Sequence, residues 1–194
     1  SGAPLVGNVA ALVPHKGHRY LIKAAATVVR QVPDARFVIL GTGELEATLR
    51  KQIKDLRLER HVLLAGFRPD VLSLQKGFDL FAMSSLTEGL GTVLLDAMAL
   101  GQAIVATRAG GIPEVVAHDQ TGVLVPPRDA DALATAVVRL LGDADRRAQL
   151  GLAGRERVRA SFSVERMVQA TLDAYDRLVD TPLVTGTDRR AVVG

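Results

Sequence analysis

Short apolar runs alternate with helix-period segments along most of the chain, the rhythm of parallel strands joined by helices. Leu5–Val9 predicts a first strand, closed by a Pro/Gly turn over residues 14–17. A helix is predicted over 18–32, where Leu21, Ile22, Ala25, Val28 and Val29 line one face. Residues 37–40 predict a buried strand ending in Gly41-Thr42-Gly43, and 45–56 a helix. Further strands are predicted at 62–65, 79–83, 103–106 and 122–125, with one helical turn at Val71–Gln75. A helix over 92–100 is stopped by Gly101, a residue that tolerates the left-handed turn at helix ends.

The last third is helical by pattern. Ala130–Leu141 has Asp129 or Asp131 as its N-cap, 143–159 follows, and Ser163 caps a helix to about residue 179. Beyond Thr181-Pro182 the pattern becomes polar and aperiodic, so 181–194 is expected to be a flexible tail, leaving residues 1–180 as one domain. About six strands with helices on both faces predict an α/β fold, a Rossmann-like doubly wound parallel sheet. Such sheets bind ligands outside the carboxyl ends of their strands, which directs attention to the loops there.

Composition narrows the classes. The 194 residues carry 24 basic and 21 acidic side chains, a net charge of +3, and aromatic residues make up 4%. Without clustered basic residues and stacking aromatics, nucleic acid is not an expected partner. With no cysteine there is no disulfide and no thiolate metal site, which suits a reducing cytoplasm. The longest apolar region, 89–107, is broken by Asp96, Gln102 and glycines, so it does not reach the ~18 apolar residues of a membrane span. His15, His18, His61 and His118 show no metal-ligand spacing, and the first two are expected to be turn residues. Arg146, Arg147, Arg155, Arg157 and Arg159 predict a solvated helix face, with a patch for anionic lipid head groups as the alternative.

Three loops carry chemistry. Lys16, in Pro14-His15-Lys16-Gly17 just before a helix, sets a cation beside free backbone N–H groups; it is a phosphate site or a solvated turn lysine. In the second loop, Gly89 and Gly91 let the backbone approach a ligand, and the N–H groups near Thr92 and Val93 open a helix toward it. Glu88 and Asp96 are expected to border this pocket. Beside a diphosphate they make sense as acceptors for sugar hydroxyls; alternatively Glu88 or Thr92 caps the helix and Asp96 is a first-turn charge. The third loop, Gly110-Gly111-Ile112-Pro113-Glu114, is a helix start whose glycines could approach a sugar. Gly41-Thr42-Gly43 lacks the third glycine of a dinucleotide fingerprint, and neither a P-loop nor a nucleophile elbow is present.

Taken in order, Val6-Gly7, Pro14-His15-Lys16-Gly17, Leu40-Gly41-Thr42-Gly43-Glu44, Gly66-Phe67, Asp79-Leu80-Phe81, Glu88-Gly89-Leu90-Gly91, Asp96-Ala97-Met98-Ala99-Leu100-Gly101, Gly110-Gly111-Ile112-Pro113-Glu114 and Gly122-Val123-Leu124-Val125 resemble glycosyltransferase family 4, the group 1 glycosyl transferases of GT-B fold. The resemblance spans about residues 4–178 and implies the C-terminal, donor-binding half of that two-domain fold, with the N-terminal acceptor domain absent. It implies a retaining hexosyl transfer from a UDP-, GDP- or ADP-sugar to a hydroxyl, with no cofactor and no metal. It implies that Lys16 binds phosphate, Glu88 contacts the donor sugar, Asp96 the ribose, and Gly91, Thr92 and Val93 offer N–H groups to the diphosphate. Family members acting on lipid-linked acceptors suggest peripheral contact at the inner membrane face. Two positions depart from the pattern: Asn8 stands where an arginine is common, leaving Lys16 and the helix start to neutralise the diphosphate with help from Arg108, and Asp96 is a methylene shorter than the usual glutamate. These departures keep a non-catalytic nucleotide-sugar-binding module open, and a nucleotide-sugar epimerase is the remaining enzymatic alternative.

Overall fold

The computed structural model describes residues 2–180; the expected tail at 181–194 lies outside the described residues. Six strands, β1 (Leu5–Val9), β2 (Arg36–Leu40), β3 (Val62–Leu64), β4 (Leu80–Met83), β5 (Ile104–Thr107) and β6 (Val123–Val125), form one parallel sheet in the order β3-β2-β1-β4-β5-β6. The chain winds outward from β1 in one direction, then returns to the centre and winds outward the other way from β4. The doubly wound sheet expected from the hydrophobic rhythm is therefore present.

Alternation along each strand explains the helices on both faces, because successive side chains of a strand point to opposite sides. Val6, Phe37, Ile39, Leu80, Ala82, Val105, Val123 and Val125 join one buried cluster with α1 (His18–Gln31), α2 (Glu46–Asp55) and α6 (Ala130–Leu141). Their neighbours Phe81, Met83, Ile104, Ala106 and Leu124 are buried as well. Helix α4 (Thr92–Ala99) buries Leu94, Ala97 and Met98, and the short α5 (Ile112–Val115) buries Ile112 and Val115. The single turn expected at Val71–Gln75 forms α3. Asp129 is the N-cap of α6, its carboxylate accepting from the Ala132 N–H at 2.8 Å, so the choice left open between Asp129 and Asp131 falls on the former.

Three of the five arginines expected on a solvated face of α7 (Ala144–Ser161) depart from it, while Arg159 stands exposed as expected. Arg147 donates to the Leu140 and Leu141 carbonyls, Arg155 to Leu100, and Arg157 to Glu114 and Val115. Each guanidinium closes the carboxyl end of a different helix, α6, α4 or α5, where carbonyls lack intrahelical donors and the dipole favours a cation. Gly151 permits this docking, since a Cβ there would run into the Gly101 carbonyl.

Helix α8 (Val164–Asp180) belongs to a second unit that begins at Ser161. Val164, Met167, Val168, Leu172 and Tyr175 stand exposed on it at helical spacing. No helix among the described residues is long and apolar enough to cross a membrane.

Candidate functional site

The reversal of winding between β1 and β4 is where a doubly wound sheet opens its crevice. The β1–β4 ladder has two register pairs, Val6↔Leu80 and Gly7↔Phe81, against five between β1 and β2. Above it the buried Asn8 side chain takes over, its Nδ2 donating to the Ala82 carbonyl at 2.8 Å. Asn8 is thus a brace across the seam, a role its place in the motif did not suggest.

Three loops leave the sheet around this point and are locked together through backbone contacts. Residues Pro14–Lys16 form a 3-10 turn, ended by Gly17 at φ 66°. A Cβ on Gly17 would collide with the Ser84 carbonyl. Glycine's access to this left-handed region lets the turn lie directly on the loop after β4. Leu86 N–H donates to His15 O at 2.7 Å, and Ser84 Oγ to Lys16 O at 3.1 Å. The loop after β5 closes on the other side. Gly110 and Gly111 leave no room for a Cβ against the Glu88 and Gly89 carbonyls, and Gly111 N–H donates to Gly89 O at 2.8 Å. Thr107 Oγ1 donates to the Ser85 carbonyl.

This packing brings Lys16 and Glu88 together across 72 positions of sequence. Lys16 Nζ lies 2.6 Å from Glu88 Oε2, and the two side chains are only 19% and 12% exposed. Ser85 Oγ donates to the same oxygen at 3.1 Å. Beside them α4 begins at Gly91, φ 73°, with no side chain capping it. The capping roles considered for Glu88 and Thr92 are therefore not taken up. The N–H groups of Thr92 and Val93, first in the helix, lack intrahelical acceptors by geometry.

Lys16, Glu88, Gly91, Thr92, Val93, Gly110 and Gly111 thus sit on the three interlocked loops. Asp96 is not joined to Glu88: it stands exposed on α4 a turn further on, its carboxyl pKa raised from the ordinary value by partial desolvation. Arg108 is exposed at the end of β5, where its backbone N–H donates to Val125 O, and it makes no hydrogen bond to the Lys16–Glu88 pair. Sequence reasoning gives no role to Ser85 or Thr107 and no bracing role to Asn8, and it reads His18 both as a turn residue and as the start of a helix. The helix reading is the one that holds: His18 is the first residue of α1, 1% exposed, with neither ring nitrogen hydrogen-bonded. A cleft of roughly 320 Å³ lies one strand over on the same edge of the sheet, lined by Val9, Ala11, Leu40, Gly41, Phe67 and Arg68. A larger one of roughly 640 Å³ is bounded by α1 and the turn into α6 and gathers none of the three loops.

A parallel sheet wound both ways, with its crevice at the switch point, makes this a Rossmann-like α/β domain. The chain belongs to the glycosyl transferases group 1 family, whose sequence model matches residues 1–157. Among similar proteins is the GDP-mannose-dependent alpha-(1-6)-phosphatidylinositol monomannoside mannosyltransferase of Mycobacterium tuberculosis, 38% identical over 179 residues, 88% of this chain and 46% of the relative. The chain spans a little under half the length of the first curated relatives that it matches. The structure is similar to Anabaena HepE in complex with UDP-glucose, with TM-score 0.83 and 30% identity over 89% of this chain and 48% of that one. It is also similar to the C-terminal domain of the Francisella tularensis group 1 glycosyl transferase LpcC, with TM-score 0.78 and 26% identity over 84% and 88%.

Proposed function

We propose that this chain binds the nucleoside-diphosphate sugar of a glycosyltransferase that moves a hexose to a hydroxyl acceptor with retained configuration. The observation that carries the reading is the meeting of Lys16, Glu88 and the uncapped start of α4 on three interlocked loops at the switch point. A lysine and two free N–H groups suit a diphosphate, and a carboxylate beside them suits sugar hydroxyls, which donate to it. The relatives support the same class of donor, since one is described as GDP-mannose-dependent and a similar structure holds UDP-glucose. The apolar cleft beside Phe67, which is 75% exposed, suits a flat base, one strand away from the phosphates.

In the transfer, negative charge develops on the departing diphosphate. The α4 N–H groups stabilise it from fixed positions, and Lys16 adds its charge once drawn onto the diphosphate. Glu88 orients the sugar through its hydroxyls. Asn8, committed to the seam, is unavailable to the phosphates. Acceptor recognition is assigned to the part of the relatives that this chain does not match.

A calorimetric titration with UDP, GDP and ADP tests the reading. One nucleotide is expected to bind, and Lys16→Ala to weaken it by about ten-fold or more, as for loss of a hydrogen bond to a charged group. Absence of binding to all three, or an unchanged affinity in Lys16→Ala, overturns it.

A further inference from the structure

Lys16 and Glu88 satisfy each other in the structure. Lys16 Nζ and Ser85 Oγ both donate to Oε2 of Glu88, and Oε1 receives neither. Both charged side chains are more than four-fifths buried. A diphosphate that draws Lys16 onto its own oxygens therefore takes away the cation that compensates Glu88. The carboxylate is left with the Ser85 hydroxyl alone, and a nearly buried charge without its partner is unfavourable. A sugar carried by that diphosphate brings hydroxyl donors to replace what Lys16 gave. A bare diphosphate brings none.

Resting on the donor-site reading above, we propose that the Lys16–Glu88 pair is a selectivity latch, which admits a nucleotide sugar and disfavours the bare nucleoside diphosphate. The same latch acts after transfer. Once the sugar has gone, Glu88 regains a partner only if Lys16 returns to it, and this competition loosens the leaving diphosphate.

Repulsion between Glu88 and the phosphates would also disfavour a bare diphosphate, but it does not need Lys16. A double-mutant cycle separates the two. The wild type, Glu88→Gln, Lys16→Met and the double variant are titrated calorimetrically with the nucleoside diphosphate that the wild type binds. The titrations are repeated with the matching UDP-glucose, GDP-mannose or ADP-glucose. Far-ultraviolet circular dichroism and thermal unfolding confirm that each variant is folded. Glu88→Gln is expected to bind the bare diphosphate about ten-fold more tightly while gaining nothing for the nucleotide sugar. In the Lys16→Met background the same change is expected to move diphosphate affinity by less than about two-fold. Ser85→Ala, which strips the carboxylate further, is expected to weaken the bare diphosphate more than the nucleotide sugar. Equal tightening in both Lys16 backgrounds would mean repulsion and would sink the latch, as would an equal shift for both ligands. The donor-site reading fails by a different result, an unaltered diphosphate affinity in Lys16→Met or none in the wild type, and the latch falls with it.

Discussion

His18 enters the folded protein without its proton. Burial, and secondarily the charge of Lys16, lowers its pKa from the usual 6.5 to about 4. The folded state therefore binds fewer protons than the unfolded chain between those values, so stability rises with pH across that window. The contribution is complete above about pH 6.5 and is lost as the pH falls toward 4, amounting to about 3 kcal/mol in all. His18→Phe should flatten this part of the stability curve, read from urea midpoints at pH 7.5 and 4.5; an equally steep fall in the variant would refute the assignment. Lys16 and Glu88 were legible in the sequence because each lies in a glycine-bearing loop next to a predicted helix. Their pairing was not, since it depends on how two loops 72 positions apart are clamped by backbone contacts at Gly17 and Gly110. Ser85 was passed over for the same reason: a serine leaving a strand carries no local signal that its hydroxyl meets a carboxylate.

At the scale of elements, helix α7 shows how charge can mislead. Its arginines look like a solvent-facing set because helical spacing gives no hint of a carbonyl arriving from another helix. The structure gives three of them carbonyl acceptors at the ends of α4, α5 and α6. We expect Arg147→Ala and Arg157→Ala each to lower stability by about 1–2 kcal/mol, measured by chemical denaturation. Binding to vesicles of anionic phospholipid should be unchanged in both variants, and a loss of binding without loss of stability would restore the lipid-patch reading. At the start of α4 the reading from the glycines holds and the capping alternative falls away. Glu88 and Thr92 are plausible caps by residue type, yet a left-handed glycine begins the helix and leaves its first N–H groups to the crevice.

At the scale of the molecule, the strand sequence and its alternation with helices were readable because parallel strands buried on both faces make short continuous apolar runs. Strand order across the sheet follows from the double winding, which the composition of no single segment encodes. The seam between the two windings is the thinnest ladder of the sheet, with its two register pairs bracketed by side chains. Asp79 Oδ2 accepts from the Leu5 N–H at 2.8 Å at one end, and Asn8 reaches Ala82 at the other. Asn8→Ala is expected to cost about 1–2 kcal/mol and to lower the unfolding midpoint of the whole sheet as one transition, followed by circular dichroism and urea. An unchanged midpoint would show that the windings are held together elsewhere.

That seam also bears on the order of folding. Within each winding a strand meets its neighbour after one helix, so contacts there are short-range and form early. The β1–β4 pair is separated by 74 positions, and its closure must overcome the entropy of a long loop for the return of two register pairs. The crevice, made only when those strands meet, is therefore expected to form after each winding has paired within itself.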